Sequence, residues 1–272
     1  MRRKANSYLQ EKEEIKPVPV SSPAHGPLSF HLRCLLDLQL KTIVDFLRPR
    51  LKALRGEVLD VGAGNAPWKS YLSPETKYVG LDIDKAAEFN MHPGTDIIYY
   101  PGGAFPFADN QFACVLCVEV LEHVPDTREL LAEIHRCLRP GGQLVMTVPW
   151  SARRHHIPHD YFRFTPEALA MLLREQGMED IDIFERGNDY AVVFNKMLCI
   201  LTGLVTIKRK SWLPVTLPMA MILFPSWLLF LLAAHATMKL QFGSRVDPLG
   251  YALTARKRLN HIQQPSKATE RS

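Results

Sequence analysis

The chain has 272 residues, 47% of them hydrophobic, enough for one substantial core with appendages. Its net charge of +5 is modest, and the basic clusters Arg2-Arg3-Lys4 and Lys208-Arg209-Lys210 lie in no stripe interleaved with aromatics, which argues against nucleic acid as a partner. Five cysteines without framework spacing fit a reducing compartment; Cys114-Val115-Leu116-Cys117, formally CxxC, falls in an apolar run with no second pair, so core packing is its expected role.

Residues 1–27 mix charge, Ser and Pro without periodicity and are expected to form a disordered tail; no apolar run follows the basic start, so no secretory signal is expected. Residues 28–48 place Leu32, Leu35, Leu36, Leu38, Ile43, Val44 and Leu47 at helical spacing, which predicts a helix over the first strand. From residue 56 onward strand and helix signals alternate. Strands are predicted near 57–61, 77–82, 95–99, 112–118 and 143–148, with an amphipathic helix over 127–139. Thr165 as N-cap, Pro166 at the first helical position and Gly177 as stop bound a further helix, after which 178–184 alternate as a strand. The pattern is α/β: a doubly wound, mostly parallel sheet wrapped by helices.

Two turns in this frame carry chemistry. Val58–Gly64 reads as a buried strand ending in a glycine turn, and Tyr78–Asp84 as a second strand ending in carboxylates. Gly62 and Gly64 remove side chains that would hold a ligand off the backbone, and Asp82 lies where ribose hydroxyls would sit. A dinucleotide-binding turn needs a third glycine. Pro67 occupies that place, so a nucleoside ligand without phosphates suits the turn better than a nicotinamide dinucleotide.

Asp60-x-Gly62-x-Gly64, Gly80-Leu81-Asp82, Phe105-Pro106-Phe107-Ala108-Asp109-Asn110-Gln111-Phe112, Glu119-Val120-Leu121-Glu122-His123-Val124 and Leu138-Arg139-Pro140-Gly141-Gly142 together resemble class I S-adenosylmethionine-dependent methyltransferases of the type 11-like group. The segments follow that family's order across residues 56–150, and the pattern runs on to about 186. The resemblance implies a Rossmann-like sheet of seven strands, the last antiparallel, and S-adenosyl-L-methionine as cofactor. It implies Asp60, Gly62, Ala63 and Gly64 near the methionine moiety, Asp82 at the ribose, Ile83 on the adenine face, and Glu119 with Val120 as the floor. Two positions depart from the family pattern. Tyr100-Pro101-Gly102-Gly103 replaces an acid that meets the adenine amino group, and Phe112-Ala113 replaces Phe-Asp. They motivate a second reading, a non-catalytic cofactor-binding module acting as a membrane-anchored scaffold.

Glu119, Glu122 and His123, at i, i+3 and i+4, resemble a divalent-ion set of some methyltransferases of quinone precursors and of small RNA ends, where magnesium or manganese would suit. The reading preferred here is no metal, with His123 packed and satisfied. The run His155-His156-Ile157-Pro158-His159-Asp160-Tyr161-Phe162-Arg163-Phe164-Thr165 follows the fifth strand, over the carboxyl ends where substrate binds in this architecture. It resembles a segment of bacterial methyltransferases associated with surface glycans and lipids. His159 with Asp160 is the candidate catalytic base for a hydroxyl acceptor, and a loop latched by Asp160 and Arg163 is the alternative.

The last strand of the family pattern best fits 250–257, so a segment is inserted before it. Between lie an apolar stretch from 190 to 207, broken by Lys196, and a longer one from Ser211 to Met238 without Asp, Glu, Lys or Arg, long enough as a helix to cross a hydrocarbon layer of roughly 30 Å. If 250–257 rejoins the sheet, both stretches cross or neither does. A double crossing puts Lys208-Arg209-Lys210 on the outer face, against the positive-inside tendency. Pro214, Pro218 and Pro225 favour broken or re-entrant helices, with Trp212 and Trp227 as interfacial anchors.

The expected organisation is a tail (1–27), a methyltransferase domain (28–189), a hydrophobic membrane-associating insert (190–245), the last strand (246–258) and a second tail (259–272). The expected function is O- or N-methylation of a small or lipid-linked acceptor at the cytosolic face of a membrane, with peripheral, monotopic or re-entrant attachment. Two alternatives stay open: a single span with 250–257 outside the sheet, and a buried hydrophobic subdomain or oligomer interface. Oligomeric state is left open.

Overall fold

The computed structural model describes residues 17–24, 26–86, 91, 94, 96–207 and 209–259. Strand β1 (Gly56–Val61) buries its last four residues on both faces, as a continuous apolar run must, and so lies near the centre of the sheet. It pairs in parallel with β2 (Thr76–Ile83) on one side and with β4 (Phe112–Val118) on the other. β3 (Ile97–Tyr100) forms one edge, β5 (Leu138–Pro149) lies beyond β4, and β6 (Met178–Arg186) forms the other edge. β7 (Gly250–Lys257) enters antiparallel between β5 and β6, giving the order β3-β2-β1-β4-β5-β7-β6. The chain therefore returns to the sheet after the insert, and the arrangement with 250–257 outside the sheet is not the one adopted.

Helices cover both faces. On one face α3 (Thr127–Cys137) and α4 (Pro166–Glu175) seat Leu131, Ile134, Leu169 and Leu173 over the sheet. The other face holds Ile43, Leu47 and Leu51 of α2 (Leu38–Ala53) and Phe30 of α1 (Pro27–Leu36). The single helix expected over 28–48 is broken at Asp37. That residue leaves the helical region (φ −104°, ψ 88°) so that its carboxylate accepts from Leu40 N at 3.1 Å and caps α2. β3 begins two residues later than expected, and β5 is longer, because the Leu138–Gly142 turn joins the ladder through a register shift opposite Phe112 and Cys114. Residues 17–20, expected in the disordered tail, are docked: Arg33 donates to the carbonyls of Val18 and Pro19 at 2.7 Å each, and Val20 packs on the core. Of that tail, residues 1–16 and 25 lie outside the described residues and Pro27 opens α1; residues 260–272 of the second tail also lie outside them.

The insert is an antiparallel hairpin of α5 (Asp189–Val205) and α6 (Leu213–Leu240). Asn188 fastens its base. Its side-chain oxygen caps α5 by accepting from Ala191 N at 3.1 Å, and its amide donates to Thr237 Oγ1 at 3.0 Å and to the Phe242 carbonyl at 2.8 Å. Contrary to the expectation of broken helices, α6 runs unbroken for 28 residues with Pro218 and Pro225 inside it. Each proline deletes one ladder bond, and the remaining bonds of so long a helix carry it through. Its buried residues, Thr216, Ala220, Leu231, Ala234 and Thr237, are few. The segment Lys210–Leu240 is long and apolar enough to cross a membrane, yet only 11% of its most apolar stretch is buried.

Candidate cofactor and acceptor site

The chain leaves β1 through a turn that glycine alone tolerates. Gly62 has φ +69°, and a Cβ there would collide with Cγ2 of Val120 at the end of β4. Gly64 has φ +54°, and its N–H donates to Asp82 Oδ2 at 2.7 Å, while Ile83 N–H donates to Asp82 Oδ1 at 2.8 Å. Two backbone donors thus aim the Asp82 carboxylate into a cavity of about 140 Å³ that Gly62, Gly64, Ile83, Glu119 and Val120 also line. A second cavity of about 280 Å³ shares Gly62, Gly64, Glu119, His123 and His156 with the first; it adds Ala63, His155, Arg33 and residues 17–20. Bare backbone, an oriented carboxylate and the apolar Ile83 and Val120 fit a nucleoside whose sugar needs an acceptor and whose base needs an apolar wall.

Asp60 does not share this surface. It is 1% exposed, lines neither cavity and accepts from Tyr78 Oη at 2.8 Å. Burial pushes its carboxyl up to about 7, against the lowering effect of the tyrosine bond. The seven other residues expected at the cofactor, Gly62, Ala63, Gly64, Asp82, Ile83, Glu119 and Val120, line one or both cavities.

Glu119 sits in the left-handed region (φ 55°). Glu119 Oε1 accepts from Thr147 Oγ1 and from Arg186 Nη2, each at 2.8 Å. Arg186, 3% exposed, also donates to the carbonyls of Val148 and Tyr251, so the floor of the site is held by an ion pair between buried Arg186 of β6 and half-buried Glu119 after β4. Sequence reading missed Arg186. Its one trace is Gly250, where a Cβ would collide with the guanidinium.

The metal alternative Glu119, Glu122 and His123 is not the set the fold brings together. Residues 121–123 form a single 3₁₀ turn, and the third neighbour of Glu122 and His123 is His155, all three offering ligand atoms within 4.8 Å of one another. Glu122 is fully buried, and neither of its carboxylate oxygens has a hydrogen-bond partner among the described residues. Burial holds that carboxyl well above its ordinary range and pushes the neighbouring His123 imidazole down to about 3.

The loop after β5 closes over this turn, with Tyr161 N–H donating to the Glu122 carbonyl at 2.9 Å. Asp160 is the latch. Burial raises its carboxyl, but hydrogen bonds from His155 N at 3.0 Å and from Arg163 at 2.6 and 2.9 Å outweigh this and hold it well below the carboxylate range. The expected pair of His159 with Asp160 is therefore not formed. The His159 ring meets Tyr161 Oη at 3.2 Å and lines neither cavity, whereas His155 and His156 do.

The strand order and this glycine–carboxylate cradle define a Rossmann-like nucleoside-binding domain of the methyltransferase class. Residues 34–183 match the methyltransferase domain family, and the chain belongs to that family, whose cofactor is S-adenosylmethionine. The chain is similar, at 32% identity over 124 residues, to the demethylmenaquinone methyltransferase of Listeria monocytogenes, covering 39% of this chain and 52% of that protein. At 36% over 99 residues it is similar to the phthiotriol/phenolphthiotriol dimycocerosates methyltransferase 1 of Mycobacterium ulcerans, covering 33% of this chain and 36% of that protein. The chain thus spans about half the length, or less, of these curated relatives. Among solved structures, a SAM-dependent methyltransferase from Archaeoglobus fulgidus is similar over 84% of this chain and 99% of that one, at 17% identity and a TM-score of 0.49. The fold assignment rests on the strand order itself.

Proposed function

We propose that the protein transfers the methyl group of S-adenosylmethionine to an oxygen or nitrogen of a small or lipid-linked acceptor at a membrane surface. Asp82 holds the ribose, Ile83 and Val120 flank the base, and Gly62, Ala63 and Gly64 let the methionine moiety lie on the backbone. Glu119, fixed by Arg186, forms the floor between cofactor and acceptor. The acceptor occupies the larger cavity, under His155, His156 and residues 17–20. Positioning of the acceptor in line with the methyl–sulfur bond supplies the main rate effect, of roughly 7 to 11 kcal/mol at most.

One observation carries the membrane part of this reading. The apolar helix α6, little buried, touches the wall of the acceptor cavity: His235 of α6 bonds the Leu35 carbonyl of α1 at 2.9 Å, and α1 contributes Arg33 to that cavity. Leu28, Leu32, Leu35 and Leu36 of α1 are exposed beside it, extending the apolar surface to the cavity rim. Ile222, Phe224, Leu228 and Leu232 are exposed on the side of α6 away from its buried stripe, a broad apolar face suited to immersion. The part of α6 beyond the packed Trp227, residues 213–226, is about 21 Å long at 1.5 Å per residue, short of a hydrocarbon layer of roughly 30 Å. A hairpin of that reach suits attachment that lies in the interface without crossing the bilayer, with Arg209 and Lys210 near its tip against anionic headgroups. Five free cysteines support a cytosolic side. Relatives named for demethylmenaquinone and for dimycocerosates are in keeping with a membrane-borne acceptor.

Calorimetric titration with S-adenosylmethionine tests the enzyme reading: saturable binding of one molecule per chain supports it, and no heat favours a scaffold. Carbonate-washed membranes test the attachment. Protein left wholly in the soluble fraction without detergent assigns the exposed hairpin to an interface between chains instead. Protease cleavage of the C-terminus on the same side of sealed vesicles as the methyltransferase domain is expected.

A further inference from the structure

We propose that the cavity of about 330 Å³ between α2, β6 and the root of the hairpin binds the phosphate of an anionic lipid headgroup, held between Arg50 and Arg245. Arg50 is half-buried, with its guanidinium carbon 3.8 Å from the ring centre of Phe46 and 5.2 Å from that of Phe184. Its Nη1 donates to the Phe46 carbonyl at 2.8 Å, while Nε and Nη2 have no hydrogen-bond partner among the described residues. Burial lowers its pKa, and no carboxylate stands within ion-pair distance among the described residues to counter that. A guanidinium packed on two rings stays charged and presents a fixed fork of donors, the geometry that meets a phosphate.

The acids of the lining do not neutralise this charge. Asp45 is paired with Lys41 at 2.5 Å. Glu185 lies opposite Tyr251 in the β6–β7 ladder, so strand alternation points it to the face away from Phe184 and Arg186; on that side burial and the Glu185 charge together raise the Tyr251 hydroxyl. Arg186 is a wall of the cavity rather than a ligand, because Nε, Nη1 and Nη2 all donate to protein acceptors. Arg245, on the loop after α6, is exposed and has no ion pair among the described residues. Arg50 and Arg245 are therefore cations without a counter-charge on one cavity.

The surroundings point to what carries the phosphate. Met238 and the exposed Phe242 line the cavity, and Leu240 and Val246, beside them in sequence, are exposed too. Uncompensated arginines edged by exposed apolar side chains suit an amphiphile whose headgroup enters the cavity while its chain stays on the apolar edge. A hairpin lying in the interface brings its root to headgroup depth, where anionic lipids concentrate. The lipid source rests on the proposed attachment; the phosphate site does not.

The test uses the full chain in detergent, titrated calorimetrically with dihexanoyl phosphatidylglycerol below its micellar concentration and, separately, with glycerol phosphate. One lipid per chain is expected, with Arg50→Gln and Arg245→Gln each weakening it about tenfold, the loss of one charge-assisted contact in a partly exposed site. Glycerol phosphate should bind through the same arginines and more weakly. Lys239→Gln removes an exposed charge of α6 outside the lining and should leave the affinity unchanged. S-adenosylmethionine binding should be unchanged in all three variants, which shows that each is folded. If Arg50→Gln fails to fold, Arg245→Gln carries the comparison alone. No saturable binding, an affinity unmoved by Arg245→Gln, or an equal loss from Lys239→Gln would each overturn the proposal. Glycerol phosphate binding as tightly as the lipid would overturn the lipid and assign the cavity to a soluble phosphate ester. Protein that washes free of membranes yet binds glycerol phosphate through Arg245 removes the attachment reading and leaves the phosphate site standing.

Discussion

Strand β4 and helix α6 have similarly apolar sequences and opposite fates. In β4 all residues but Ala113 are buried, because neighbouring strands and helices on both faces accept them. In α6 five of 28 residues are buried, because α5 and a few contacts at its base, such as His235 with Leu35 of α1, cover one stripe and leave most of the helix exposed among the described residues. Apolar composition specifies that a surface must be covered; what covers it is decided by the partners in reach.

That contrast is sharpest in what single substitutions should do. Arg186→Ala, in the sheet half, leaves Glu119 held by Thr147 alone and removes the donor to the Val148 and Tyr251 carbonyls. It should cost up to about 3 kcal/mol of unfolding free energy in a denaturant titration. Asp82→Ala should leave the fold intact and weaken S-adenosylmethionine about 100-fold by calorimetry, roughly the loss of one or two hydrogen bonds to a charged group.

Asp60 gives a pH-resolved version of the same comparison. Its folded pKa, raised to about 7 by burial, exceeds the ordinary 3.8, so the folded chain holds a proton that the unfolded chain releases between those values. Stability from this group is full below about 3.8 and is lost as pH rises toward 7. Asp60→Asn should therefore gain on the wild type by up to about 1.4 kcal/mol per pH unit across that window, and denaturation curves at several pH values would show it.

In the hairpin the expected effects shrink. Leu229→Ser, on the exposed side of α6, should change unfolding free energy by less than about 0.5 kcal/mol while weakening flotation with vesicles. A large loss of stability would mean that this side packs against protein instead. The smallest effect falls to His159→Gln, which should leave turnover at the wild-type level because its ring lines neither cavity.

The sequence by itself determined whatever is encoded over a few neighbouring residues. Alternating periods located the strands and helices, Gly62 and Gly64 marked a turn only glycine can make, and Asp82 followed at the end of the next strand. Thr165, Pro166 and Gly177 bounded α4 for the same local reasons, and the return of 250–257 to the sheet followed from the family's strand pattern. Only the tertiary structure decided which polar groups meet. Arg186 finds Glu119 from 67 positions away, His155 rather than Glu119 joins Glu122 and His123, and Asp160 pairs with Arg163 instead of serving His159. Asp60, adjacent to the glycine turn in sequence, is turned beneath it by the alternation of the strand. Spacing fixes the face on which a side chain emerges, but its partner depends on where distant segments of the chain are packed, and no local period carries that information.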